Sequence, residues 1–178
     1  MPPIETRQTL TPADVILYAL GIGSTELGFV YEEGIRALPT MAATLAYPGF
    51  IWRDPRFGVN WRRVLHGETS ITIHAPLPVE GELIGLTTIG PIFDTGTETG
   101  AIVCQTREIH LRDGPHIATV RNVTMLRDEG GFGGSAEGQP RPHPIPDRAP
   151  DIVHRLVTAA NQAMIYRLSG DLNPMKRS

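Results

Sequence analysis

The stretch AIVCQTREIHLRDGPHIATVRNVTMLRD, residues 101–128, holds two long runs in which apolar and polar side chains alternate on either side of Asp113-Gly114. Successive side chains of a strand point to opposite faces, so a period of two marks a strand with one face buried. An Asp-Gly pair between two such runs supplies the positive-φ turn that an antiparallel hairpin needs. Further strand candidates are HGETSITIHAPLP (66–78), where Ile71, Ile73 and Ala75 alternate with Thr72 and His74, and ELIGLTTIGPIFDTG (82–96). LGFVYE (27–32) is also strand-like. Only TPADVILYALGIG (11–23) reads as a good helix: Thr11 is placed to cap it, and Pro12 sits at the first helical position. Val15, Ile16, Ala19 and Leu20 form its apolar side, and Gly21 stops it. ALPTMAATLA (37–46) is too short to type by period. YPGFIWRDPRFGVNWRRVL (47–65) carries Pro48, Gly49, Pro55 and Gly58, which exclude a long regular helix. The expectation is an α+β chain built on a curved antiparallel sheet with little helix cover.

Its 178 residues suit one domain, or one domain and part of a second. A formal net charge of −3 gives no electrostatic case for nucleic acid or for an anionic membrane surface. No segment approaches the ~20 apolar residues of a membrane span. The opening MPPIETRQTL lacks the basic start and apolar core of a signal peptide, so a reducing cytoplasm is the default expectation. The single cysteine, Cys104, excludes an internal disulfide and a multi-thiolate metal site, and its apolar strand context reads as a plain buried thiol. The six histidines show no metal-ligand spacing, and no Gly-x-Ser-x-Gly elbow is present, so neither a metal nor a serine hydrolase is indicated.

Residues 129–150, EGGFGGSAEGQPRPHPIPDRAP, are the one compositional break and read as an extended linker. A unit of residues 1–135 is therefore expected, then a linker over 136–150. DIVHRLVT (151–158) reads as a strand. Thr158 is placed to cap a helix in NQAMIYRLSG (161–170), with Gly170 at its C-terminal end.

NQAMIYRLSGDLNP (161–174) resembles the hydratase motif of the MaoC-like family, in particular the type 2 (R)-specific enoyl-CoA hydratases. The resemblance extends through DVILYALGIG (14–23), ELGFVYEEG (26–34), ALPTMA (37–42), VLHGETSITIHAPLPVEGEL (64–83) and GGFGG (130–134), in the family's order. Such proteins have two tandem hot-dog units, and the first has lost most of the helix that a hot-dog sheet usually wraps. The resemblance implies a first unit with a reduced central helix, and a second unit of which 151–178 would be the first strand and helix.

It also implies chemistry. Adding water across an α,β-unsaturated thioester needs a base for the attacking water, an acid for Cα, and a donor for the developing enolate. The family's catalytic Asp corresponds to Asp171 and its Asn to Asn173. Its His position is occupied by Lys176, whose ordinary pKa of ~10.4 leaves it protonated where imidazole would accept a proton. With the missing remainder of a second unit, Lys176 leads to the expectation of a truncated hydratase, or a half-protein paired with a complete hot-dog chain, with little turnover alone. An acyl-CoA thioester is the implied substrate, no cofactor is implied, and a homo-oligomer or a pairing with another hot-dog chain is expected. Phe50, Trp52 and Trp61 either line an acyl pocket or cover a helix-less sheet face. Arg121 and the Gly-rich run around Gly131 either approach the CoA phosphates or simply end a strand. His66 is a weaker candidate for a direct role.

Overall fold

The structure, a computed structural model, describes residues 1–171. The expected hairpin is present: β4 (Ala101–Leu111) and β5 (His116–Leu126) pair antiparallel, and Asp113 takes the turn at φ +58°. β3 (Gly81–Asp94) pairs with the other side of β4, and β2 (Val64–Ile73) pairs with β5. A further edge strand, β1 (Ile4–Leu10), pairs with β3 and gives the order β1-β3-β4-β5-β2 in one antiparallel sheet of five strands.

One sheet face is buried. Leu83, Ile109, Ala118 and Val120 point into it from the three central strands, joined by Leu10, Val15 and Leu45. Each Leu or Ile so buried is worth about 1.5–3 kcal/mol relative to exposure. A second, smaller cluster at the far end of the strands gathers Ala101, Val103 and Leu126 around Trp52. β2 is more exposed than its alternation suggested, with Ile73 37% accessible, because it is an edge strand and Gly67 sits at a register shift between His66 and Glu68.

α1 (Pro12–Gly21) begins as expected. The Thr11 hydroxyl accepts the Asp14 N–H at 3.3 Å while the Thr11 N–H donates to the Asp14 carboxylate at 2.9 Å, a reciprocal cap. LGFV, expected as part of a strand, is instead a single helical turn, α2 (Leu27–Val30); its carbonyl at Gly28 accepts the Arg36 N–H at 2.9 Å, and Arg36 lies 4.9 Å over Phe29. The chain from 39 to 63 supplies only 3-10 turns, at Pro39–Ala43, Ile51–Arg53, Pro55–Phe57 and Trp61–Arg63, so the sheet has no long helix lying in it.

The stretch 151–158, expected as a strand, is irregular and exposed, with Ile152 and Val157 84% and 89% accessible. A strand is stabilised by ladder bonds to a neighbour, and this segment pairs with none of the five strands. α3 (Gln162–Arg167) does form; Asn161 rather than Thr158 precedes its first residue, without a capping side-chain bond, and Gly170 follows it at φ +103°. α3 packs on α1 with the Tyr18 and Tyr166 rings 5.9 Å apart. The approach requires Gly21, where a Cβ would fall 2.9 Å from the Tyr166 Cα.

Candidate functional site

The docking of α3 closes one side of a cleft of about 300 Å³ lined by Gln8, Met41, Thr44, Tyr47, Ser169 and Gly170 among others. Asp171 follows directly on that wall. Its charge reaches two phenols: burial foremost, and the Asp171 charge in addition, hold Tyr47 and Tyr166 above the usual tyrosine pKa. Both are therefore neutral O–H donors at physiological pH.

Tyr47 owes its position to an unusual stretch of backbone. Ala46 sits at φ +44°, a left-handed conformation that costs a residue with a Cβ about 1–2 kcal/mol. The Gln8 side chain holds it there by accepting the Ala46 N–H at 2.6 Å. Gly85 of β3 makes room, since a Cβ there would lie 2.6 Å from the Ala46 carbonyl oxygen. From β4, Arg107 donates to the carbonyls of Ala42 at 3.1 Å and Ala43 at 2.7 Å, and its guanidinium carbon lies 5.2 Å from the centre of the Tyr47 ring. Arg107 is 2% accessible, and burial pushes its pKa down to about 10, with the Tyr47 charge acting in the opposite direction. Its Nε has no hydrogen-bond partner among the described residues; nor has the Oγ1 of Thr87, the residue opposite it in register.

The residues singled out from sequence fall in separate places. Trp52 is buried against Ala101, Val103 and Leu126, covering the sheet where a helix is absent. Phe50 and Trp61 meet edge to face at 6.4 Å nearer the surface, with Arg53 4.6 Å over Trp61. Arg121 lies exposed on the outer face of β5, opposite Ser70 and Thr106. The Gly131 N–H donates to Asp94 Oδ1 at 2.7 Å, and the Gly133 and Gly134 N–H groups donate to Asp94 Oδ2. These bonds, with another from Gly96, hold the Asp94 carboxyl below the usual carboxylate range. The Gly-rich run thus clasps the end of β3. His66 bonds to Thr69 at 3.0 Å on the edge strand, away from the cleft. His74, His110 and His116 stack with centroids 4.2 and 4.6 Å apart, but no group of three metal-ligating side chains suited to an ion occurs among the described residues. Asn173 and Lys176 lie outside the described residues. Among the described residues, Asp171 is the one site residue named from sequence that adjoins the cleft.

Residues 9–128 match the MFE-2 hydratase 2 N-terminal domain, a MaoC-like family. The chain belongs to that family. It is 38% identical to 3-hydroxyacyl-thioester dehydratase Y of Mycobacterium tuberculosis over 93% of this chain and 59% of that protein. It is 34% identical to the peroxisomal enoyl-CoA hydratase 2 of Arabidopsis thaliana, over 96% of this chain and 62% of that one. Among solved structures, the MaoC-like dehydratase of Phytophthora capsici superposes with a TM-score of 0.80 at 30% identity, over 97% of this chain and 62% of its own. The chain thus spans about three-fifths of the length of these relatives. The hot-dog expectation holds, with the long central helix reduced to short turns.

The MFE-2 hydratase 2 N-terminal domain match ends with β5, so the Asp171 segment lies outside it. Tyr47 and Arg107 were missed in the sequence. Arg107 had a legible signal: it occupies the inward register of β4, in line with Val103 and Ile109, where a cation is out of place. Tyr47, ahead of Pro48-Gly49, looks like an ordinary turn residue. No helix among the described residues is long and apolar enough to cross a membrane.

Proposed function

We propose that this chain is the acyl-binding part of a MaoC-like hydratase and that Asp171 takes part in the reversible hydration of trans-2-enoyl-CoA to (R)-3-hydroxyacyl-CoA. The observation that carries the reading is the docked α3, which holds the Asp171 segment at the cleft beside Tyr47. The dehydratase and hydratase names of the relatives agree with it. In the forward direction a carboxylate takes a proton from water as its oxygen bonds to Cβ. The electron pair of the double bond then moves toward the thioester as enolate, and an acid protonates Cα. Asp171 is the carboxylate, and no cofactor is needed because CoA is part of the substrate.

Residues 1–135 form the first hot-dog unit, 136–150 the linker, and 151–178 the start of a second unit. The chain pairs with another hot-dog chain, either a second copy or a different one. The exposed apolar side chains of Ile152, Val153, Leu156 and Val157 support such a pairing. Phe50 and Trp61, partly accessible beside Trp52, line the path of the acyl chain. A second reading, a non-catalytic acyl-CoA-binding subunit that pairs with a catalytic hot-dog chain, is favoured by one feature: Lys176 stands where the family has His.

The test follows loss of enoyl-thioester absorbance when the chain meets a medium-chain trans-2-enoyl-CoA, beside Asp171→Asn. Slow turnover abolished by the substitution is expected. Turnover that survives Asp171→Asn sinks the assignment of Asp171, and saturable binding without turnover gives the second reading.

A further inference from the structure

The Tyr47 hydroxyl is a donor without a hydrogen-bond partner among the described residues, and Tyr47 is one of the residues lining the cleft that Asp171 adjoins. Four separate departures from ordinary sequence–structure matching converge on it. Ala46 holds a left-handed φ, Gly85 interrupts a central strand, Gln8 reaches across from β1 to the Ala46 N–H, and a buried arginine lies against the ring. A turn that merely changed chain direction would need none of these, and each carries a cost in stability. Costs gathered on one residue point to a role for that residue.

We propose that the Tyr47 hydroxyl donates a hydrogen bond to the thioester carbonyl oxygen of the bound substrate, and that Arg107 is its positioning residue. The inference rests on the hydratase reading above and adds to it a donor from the first unit. The bond to the carbonyl oxygen strengthens as that oxygen gains enolate charge; the proton stays on Tyr47, and no bond breaks there. Arg107 acts in two ways. Its two bonds to Ala42 and Ala43 fix the backbone that leads into Tyr47, and its charge beneath the ring makes the phenol a better donor. The other charged groups around the cleft are Arg7 from β1, Asp14 from α1 and Asp171 beyond α3. Asp171 opposes ionisation of Tyr47, which keeps the phenol protonated and able to donate.

The experiment uses the full 178-residue chain and trans-2-enoyl-CoA carrying ¹³C at the thioester carbonyl. Hydrogen bonding to a carbonyl oxygen moves that carbon's resonance downfield, so the bound-minus-free shift reports the donor directly. Tyr47→Phe is expected to lose most of that shift and to bind about two- to tenfold more weakly, as for one neutral hydrogen bond. With tyrosine labelled at the ring carbon that bears oxygen, Arg107→Met is expected to move the Tyr47 titration to higher pH, and Arg107→Lys to restore it in part. Asp171→Asn is expected to move it to lower pH. An unchanged carbonyl shift in a folded Tyr47→Phe overturns the proposal even where the chain hydrates its substrate. A Tyr47 titration indifferent to Arg107→Met removes Arg107 from it. Failure of the chain to bind any enoyl-CoA at millimolar concentration overturns both this proposal and the hydratase reading. A shift lost in Tyr47→Phe without turnover keeps this one and leaves the acyl-binding reading.

Discussion

Replacing Gly85 with alanine tests whether the backbone around Ala46 is held as tightly as the cleft requires. The added Cβ would lie 2.6 Å from the Ala46 carbonyl oxygen and 2.9 Å from the Ala46 Cβ, both below normal contact. Neither atom is the end of a flexible chain, so relief means moving the 42–47 backbone or the β3 strand. Overpacking of this kind costs about 1–3 kcal/mol. Against it, Gly→Ala restricts the unfolded chain and returns about 0.4–1 kcal/mol. The net is a loss of about 1–2 kcal/mol, which for a domain of this size lowers Tm by roughly 2–8 °C. Thermal unfolding followed by circular dichroism measures it. Adding Ala46→Gly removes the 2.9 Å contact and relaxes the left-handed φ but leaves the carbonyl clash, so the double variant should recover only part of the loss. A Gly85→Ala melt equal to or above that of the parent would refute the argument that Gly85 exists to let Ala46 approach.

Thr11→Ala removes the reciprocal cap of α1 and should cost about 1 kcal/mol, read as a lower midpoint in urea with an unchanged m-value. The clasp on Asp94 makes acid stability a second test. Because its folded pKa is depressed, Asp94 stabilises the fold above the unfolded carboxylate value of ~3.9, and that contribution disappears as pH falls through the lower folded value. Asp94→Asn should therefore melt lower at neutral pH and show a shallower decline in Tm between about pH 5 and 2. Burial, and then the charge of Glu68, push the Cys104 thiol up, so its alkylation at neutral pH should be slower than that of a free thiol. Glu68→Gln should speed the reaction, and an unchanged rate would show that Glu68 does not act on it.

The sequence made some of this fold readable and hid the rest for physical reasons. Asp113-Gly114 and Thr11-Pro12 each solve a local backbone problem, a positive φ and an uncapped helix end, so their signals survive in any tertiary context. β1 has no such mark: its inward positions include Thr6 and Gln8 beside Ile4 and Leu10, so the alternation of apolar residues is broken where Gln8 turns inward to hold Ala46. LGFV and DIVHRLVT contain strand-forming residues, yet local propensity decides little without a neighbouring strand. At the cleft, Asp171 was legible only through a resemblance to a motif. Tyr47 was invisible because what sets it apart lies in Gln8, Gly85 and Arg107, residues distant in sequence.

The alternating prolines at 140, 142, 144 and 146 give the linker a mechanical meaning. Ser135 leaves the Asp94 end of β3, where its carbonyl accepts the Asp94 N–H at 3.2 Å, while α3 docks on α1 near the Gly81 end. β3 has 14 residues, so those ends lie roughly 45 Å apart along the strand. A flexible chain over 136–161 would relax to roughly 25–31 Å, short of that distance, whereas residues 140–150 in polyproline geometry cover roughly 34 Å unaided. In that geometry the stretch would act as a strut between the Asp94 end of β3 and α3. Exchanging its prolines for glycine and serine would turn the strut into a spring that pulls α3 off α1.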